Sequence, residues 1–263
     1  MPAYSFTNKR TNLYIFLSAI FLTNALVAEI IGVKIFSGET LLGVPPAQIR
    51  LFGDFSLDFN LTAGAVIWPF VFVTSDIINE YFGKAGVRRI SFLTAGFIAY
   101  SFLVIYTVTT LPPAPFWLDV NATDGAGNPI NINNAFSMIF RQGLGIIIGS
   151  LTAFLIGQLL DASVFQYLRR ITGSRKVWLR ATGSTVVSQL VDSFVVLYIA
   201  FFIFGNWSMQ QVLAVGLINY IYKFATAVLL TPLLYLARYL IDRYLGKEHA
   251  EELANEATMS SFM

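Results

Sequence analysis

Long apolar runs, separated by short polar and basic clusters, set the pattern of this chain. Six runs reach the roughly 20 residues that a helix needs to cross a bilayer. They lie at about residues 13–35, 61–82, 88–110, 141–167, 178–204 and 211–240. The pattern predicts an all-α, polytopic integral membrane protein: one six-helix transmembrane domain over 1–247 and a polar tail over 248–263. The third run carries no charge beyond its opening arginines, and the last two are long enough to tilt or protrude. Lys9 and Arg10 precede the first run as in a signal peptide. That run is too long for a signal core, however, and Leu26 stands where a small residue two before Ala28 is required, so it reads as a retained first helix.

Composition agrees with the runs. Hydrophobic residues make up 56% of the 263 and charged residues 12%, against about 25% charged in a typical soluble domain. There is no cysteine, which excludes disulfide and thiol chemistry. The single histidine, His249, lies in the polar tail, so a histidine-based triad or a histidine-ligated metal site inside the membrane is excluded. No G-x-x-x-x-G-K-[ST] phosphate loop occurs, which argues against an ATPase. No enzyme activity, cofactor, metal or nucleic-acid partner is expected. The expected partners are the lipid bilayer and a small molecule, with protons as a candidate coupling ion and a homo-oligomer left open.

Basic residues orient the spans. Lys9 and Arg10 precede the first span; Lys84, Arg88 and Arg89 lie between the second and third; Arg169, Arg170, Arg175, Lys176 and Arg180 lie between the fourth and fifth; Arg238, Arg243 and Lys247 follow the sixth. Those thirteen face only Lys34, Arg50 and Arg141 in the alternate connections, with Lys223 inside a span. Positively charged loops stay cytoplasmic, so the N-terminus is expected inside, and an even number of spans brings the C-terminus inside too. Two outer connections are long. The one at about 36–60 holds Pro45, Pro46, Arg50, Asp54 and Asp58, with a pattern over Ile49–Phe59 that suits a short hairpin. The one at about 111–140 opens with Pro112, Pro113 and Pro115, which stop a helix, and serves as a plain loop or as a lid. The tail from Glu248 is expected disordered or as a short helix.

Ionisable side chains in hydrocarbon cost roughly 2.5–3.5 kcal/mol each on insertion scales, so those that remain face a cavity or a partner. Asp76 and Glu80 are four apart on one face of the second span, with Asn79 beside them. Their alternatives are a polar cavity or a hydrated, paired position near Lys84, Arg88 and Arg89. Asp192, with Gln189, sits near the middle of the fifth span. Asn219 and Lys223 share a face of the sixth, so Asp192 and Lys223 can meet as a structural ion pair or as part of a midplane substrate cavity. Asn24 and Glu29 extend the set in the first span. Pro69 and Pro232 are expected to kink or open their helices, and Trp68 beside Pro69 can stack on a flat ring. Gly143, Gly145, Gly149, Ser150 and Ala153 point to close packing by the fourth span.

The run Leu61-Thr-Ala-Gly-Ala-Val-Ile-Trp-Pro-Phe-Val-Phe-Val-Thr-Ser-Asp-Ile-Ile-Asn-Glu-Tyr-Phe-Gly-Lys84, followed by Arg88-Arg89, resembles the bacterial queuosine precursor transporter family, also called the vitamin uptake transporters. Gly183–Ser193 and Asn219–Lys223 are similar to it in order and spacing, and the resemblance covers about residues 10–245. It implies uptake across the bacterial inner membrane of 7-deazaguanine precursors of the tRNA nucleoside queuosine: the 7-cyano or 7-aminomethyl base, or queuine. It also implies a six-helix fold similar to the substrate-binding subunits of energy-coupling-factor vitamin transporters. The longer outer connections, 36–60 and 111–140, depart from some members. A guanine-like edge suits this inventory, because a carboxylate (Asp76 or Asp192) accepts its adjacent ring and amino N–H groups. Asn79, Gln189 and Asn219 complete the hydrogen bonding, Trp68 or Tyr220 covers the ring, Glu80 or Glu29 meets an aminomethyl cation, and Lys223 holds a neighbouring carboxylate ionised. A stand-alone carrier, coupled to protons through Asp76, Glu80 or Asp192, is favoured. A binding subunit of an energy-coupling-factor transporter, or a carrier of another vitamin-like heterocycle, is the alternative. The first span offers only Ala28 and Gly32 at the spacing of the Ala-x-x-x-Ala docking pattern of such subunits.

Overall fold

The computed structural model describes residues 6–50, 56–173 and 177–260; Asp54, Arg175 and Lys176 lie outside them. The first apolar run forms α1 (Phe6–Ile31). The connection after it is ordered as β1 (Ile35–Ser37), α2 (Gly38–Leu42), β2 (Ile49–Arg50), β3 (Ser56–Leu57) and β4 (Asn60–Thr62). The expected hairpin is present as β2 antiparallel to β3, and β1 pairs with β4, so the segment returns to the point where it left α1. Glu39 staples this fold-back. Its carboxylate is 5% exposed and accepts from the Phe59 N–H at 2.6 Å, the Ser37 hydroxyl at 3.1 Å and the Ala47 N–H at 3.4 Å. Bonds that favour the ionised form, the Phe59 N–H foremost, hold its carboxyl below the usual glutamate range.

Helix α3 (Trp68–Thr109) begins later than the apolar run does. Leu61 and Thr62 belong to β4 and Ala63–Val66 to a 3₁₀ turn. Pro69 falls in the helix's first turn, where its missing N–H costs no intrahelical bond, so it starts the helix rather than kinking it. Gly64 lets the 3₁₀ turn approach α1: a Cβ there would lie 2.6 Å from the Ala28 carbonyl oxygen. Helical geometry breaks at Gly83 (φ 67°, ψ −173°), a conformation that a side chain disfavours. Contacts with α1 show what this break does. Gly64 lies against Ala28 near the end of α1, whereas the carbonyl of Gly86 accepts from the Tyr14 hydroxyl near its start. Arg141 then bonds Thr109 while its neighbour Gln142 bonds the Glu29 carbonyl, back at the far end. The chain therefore runs the length of α1 twice, once on each side of Gly83.

The second long connection carries α4 (Pro115–Val120) and α5 (Ile132–Phe140). Helices α6 (Leu144–Thr172) and α7 (Val177–Leu197) follow, α7 continuing as a π-helical turn over Tyr198–Ile203. Close packing is seen at two of the expected small residues, Gly145 against Phe204 and Gly149 against Val196 and Ala200, whereas a Cβ on Gly143, the cap before α6, would meet nothing within 4 Å. Ser208 and Gln211 form a capping box that starts α8 (Met209–Leu229). The last apolar run is two helices, because Pro232 cannot continue α8; it opens α9 (Thr231–Leu245) instead. Arg180, read from the sequence as a loop residue, belongs to α7 and is fully buried, because α7 starts within the basic segment. The tail forms α10 (Lys247–Ser260), whose Ala250, Leu253, Ala254 and Ala257 are buried, with contacts to α3.

Five helical stretches among the described residues are long and apolar enough to cross a membrane: Lys9–Ile31, Trp68–Thr109, Ile132–Thr172, Trp178–Ile203 and Met209–Leu229. Their outward faces carry large apolar side chains such as Phe16, Tyr100, Leu103 and Leu144, all more than 60% exposed. In water such surface would be costly; in a bilayer it meets lipid. The chain is an all-α, multi-pass membrane protein.

Candidate functional site

The polar side chains on the spans sort into two groups. The first closes one end of the bundle. Glu80, 4% exposed, takes both Nη2 bonds of Arg180 at 2.8 Å, an ion pair with Arg169, and Arg238 at 3.6 Å. Arg180 also donates to the Gly173 carbonyl and lies over the Phe165 ring, 5.6 Å from its centroid. Nearby, the Tyr81 hydroxyl donates to Asp242 at 2.7 Å. Lys9, which donates to the Tyr244 carbonyl, and the Arg10–Glu256 pair lie with this end, so the basic residues that orient the chain gather here. Arg169, Arg180 and Arg238 are cations on Glu80.

The second group lines a cavity of about 850 Å³ between α1, the first limb of α3, α6, α7 and α8, within the roughly 300–1,000 Å³ of small-molecule sites. Most of its wall is apolar. Trp68 stacks on Phe72 with centroids 5.9 Å apart, and Phe154 lies against Trp68 at 5.8 Å. The cavity extends from the β3–β4 segment and Trp207 at the end away from the arginines to Asp76 and Leu234 above them.

Glu29, Trp68, Asp76, Gln189, Asp192, Asn219 and Lys223 all line this cavity. The expected Asp192–Lys223 pair forms, with Lys223 Nζ donating to Asp192 Oδ2. Asn79, Glu80, Asn24 and Tyr220 do not reach the lining. Asn79 is fully buried between α3 and α6, donating to the Ala162 carbonyl and accepting from Gln166 at 2.8 Å. Glu80 is one turn further along, inside the arginine cluster. The Asn24 amide donates to the Ile20 carbonyl in its own helix at 2.9 Å. Tyr220 points off the face that Asn219, Tyr222, Lys223 and Thr226 share, so Tyr222 is the tyrosine in the wall.

Sequence reasoning missed the contribution of α6. Gln158 lines the cavity and its Oε1 accepts from the Ser75 hydroxyl at 2.6 Å; Asp161, one turn on, accepts from Ser188 at 3.0 Å. The available signal was the placing of Ser150, Gln158 and Asp161, eight and then three residues apart and so near one face, along an otherwise apolar helix. Three lining atoms have no protein partner: Asp76 Oδ1, Gln158 Nε2 and Gln189 Oε1. An aromatic wall beside unpaired hydrogen-bonding groups is suited to hold a flat, polar heterocycle.

Residues 62–237 match the family described as "Putative vitamin uptake transporter". The chain is 33% identical over 186 residues to the "Probable queuosine precursor transporter" of Bacillus subtilis (strain 168), covering 70% of this chain and 75% of that one. It is 29% identical over 168 residues to the "Queuosine precursor transporter" of Escherichia coli (strain K12), covering 64% and 67%. A Haemophilus influenzae relative, named as a probable queuosine precursor transporter, is 28% identical over 178 residues, covering 67% of each. No solved structure matches the chain.

Proposed function

This chain belongs to the vitamin uptake transporter family, and from that premise we propose that it imports queuosine precursors across the bacterial inner membrane. The substrates are 7-cyano- or 7-aminomethyl-7-deazaguanine, or queuine. The observation that carries the reading is the cavity: a small-molecule volume with Trp68 and Asp76 in its lining, the Asp76 Oδ1 having no hydrogen-bond partner. Asp76 accepts from the guanine-like edge, Trp68 covers the ring, and Gln189 and Asn219 add hydrogen bonds. Glu29 meets an aminomethyl cation. Lys223 pairs with Asp192 in the wall.

The chain crosses the membrane six times in this reading, with both termini cytoplasmic. The reversal at Gly83 and the gathering of basic residues at one end support that topology. A stand-alone carrier is supported by α1, where the Ala28 and Gly32 surface that a coupling subunit would need is covered by the chain's own Gly64. Asp76 is the carboxylate for a coupling proton, since Glu80 is committed to arginines.

The test is expression in a bacterium lacking both queuosine precursor synthesis and its own importer. Each deazaguanine is supplied at low concentration and queuosine is quantified in tRNA. Restoration without coupling subunits establishes a stand-alone importer. Failure with every precursor, despite confirmed membrane insertion, overturns the reading.

A further inference from the structure

We infer that α4 and α5 are a lipid-contacting platform. Both lie along the bilayer surface at the end of the bundle away from the arginines, with their apolar faces set into the phospholipid headgroup boundary and the turn between them in water. The inference rests on the multi-pass membrane class and needs no substrate. In the topology proposed above, the leaflet is the outer one.

Length places this segment at the surface. From Leu144 to Arg169, inside the arginine cluster, α6 rises about 38 Å at 1.5 Å per residue, more than the roughly 30 Å of hydrocarbon. The limb of α3 from Lys84 to Thr109 rises about as far. Both limbs are therefore across before the connection between them begins. At nine residues α5 is too short to cross by itself. It does not continue α6, because the chain is extended at Arg141 (ψ 92°) and Gly143 (ψ 141°). This corner is tied to the neighbouring spans. Arg141 donates to Thr109 Oγ1 at 3.1 Å and lies over the Tyr106 ring, and Gln142 donates to the Glu29 carbonyl at 2.8 Å. None of residues 111–140, all of them described, lines the cavity.

The sorting of side chains says what covers the segment. On α5, Ile132, Ala135, Phe136 and Ile139 share one side, with Met138 and Phe140 at its edges, and Asn133, Asn134 and Ser137 take the other. A helix resting on protein in water turns its apolar side inward. Here Met138 and Ile139 are 81% and 54% exposed, while Asn133 and Ser137 are half-buried. On α4, Phe116 and Val120, one turn apart, are 71% and 73% exposed. No residue of either helix is buried. Aromatic contacts join the two: Trp117 meets Phe136 edge-on with centroids 6.4 Å apart, and Phe136 meets Phe140 at 4.7 Å.

The exposed apolar side chains continue into the lipid-facing surface of the flanking spans, at Tyr106 and Val108 of α3 and Leu144 of α6. That continuity identifies the partner as phospholipid. The turn has the opposite chemistry: Asp124 accepts from the Ala126 and Asn128 N–H groups, and its neighbour Thr123 pairs with Pro129. Arg141, exposed at the corner, holds its charge at headgroup depth. Apolar and polar faces on one short helix at this depth are the arrangement of an interfacial helix.

The chain has no cysteine, so a single engineered thiol reports one position. Met138→Cys and Phe116→Cys probe the two helices, and Ala126→Cys probes the turn. All three positions are exposed, so the replacements leave the packing intact. Each full-length variant is purified, labelled with a thiol-reactive fluorophore and placed in lipid nanodiscs. Three quenchers are compared: aqueous iodide, phospholipid with a nitroxide near the headgroup end of its acyl chain, and phospholipid with a nitroxide near the chain's far end. At 138 and 116 the shallow nitroxide is expected to quench at least about threefold more than the deep one, and iodide at least about threefold less than at 126, as for a face set about 5–10 Å into the boundary. A departure at either site overturns the inference. Iodide quenching equal to that at 126 leaves the connection a loop in water. Stronger quenching by the deep nitroxide puts the helix inside the hydrocarbon. Shielding from all three quenchers assigns the face to a second copy of the chain. No substrate is added, so this result and the import assay stand or fall separately.

Discussion

Glu80 is the residue for which the structure makes the sharpest energetic statement. Its carboxylate is the counter-charge for Arg169 and Arg180, 3% and 0% exposed, and it also meets Arg238. Glu80→Gln keeps the shape and one carbonyl but removes the charge, leaving two buried guanidiniums uncompensated. Removing one partner of a buried ion pair costs about 3–5 kcal/mol. At about 2–4 °C per kcal/mol for chains of this size, that is a melting-temperature fall of roughly 6–20 °C. The assay is thermal unfolding of purified protein in detergent, followed by tryptophan fluorescence. Adding Arg180→Met to Glu80→Gln removes one of the stranded cations and should recover part of the fall. A single variant that melts within about 3 °C of wild type, or a double variant that is worse than the single by as much again, would refute the view that this cluster is a structural lock at the end of the bundle.

Asp76→Asn should lower precursor uptake by about tenfold or more, the loss of a charge-assisted hydrogen bond worth about 1.5–3 kcal/mol, at normal membrane abundance. Asp192→Asn should likewise impair uptake, and normal uptake in both would reject their assigned roles. Gly64→Ala should destabilise the protein by about 1–3 kcal/mol, read as a lower melting temperature, because its Cβ would meet the Ala28 carbonyl oxygen at 2.6 Å. The loop held by Glu39 should loosen in acid. A carboxyl held below its ordinary range stabilises the fold above the unfolded value, about 4.3, and that contribution is lost as the pH falls through the lower folded value. Hydrogen exchange at the Phe59 amide should therefore be flat from neutral pH to about 5 once the intrinsic rate is divided out, then rise below about 4. Glu39→Gln should show raised exchange throughout.

Much of the architecture was legible because it depends on local chemistry. Apolar length marked the spans, and the polar pattern over Ile49–Phe59 marked a hairpin that forms with the Ile49–Leu57 pairing. Helix boundaries were less legible. Pro69 opens a helix instead of kinking it, since the preceding apolar residues are held by β1 and by α1. The amphipathic spacing of Ala250, Leu253, Ala254 and Ala257 turns the polar tail into a docked helix.

The candidate site divides along the same line. Hydropathy and charge along the chain, properties of each residue's own transfer from water, determine the membrane class and single out the costly polar side chains. They also bring Asp192 and Lys223 within reach of each other. What those properties do not carry is the rotation and axial offset of one helix against the next. Packing sets both, and a shift of one turn decides that Asp76 lines the cavity while Glu80 is enclosed by arginines. A change of face on α8 likewise exchanges Tyr220 for Tyr222. Gln158 enters the site only because α6 lies against α3, where the Ser75 hydroxyl donates to its amide oxygen, so its place in the lining is a product of the tertiary structure.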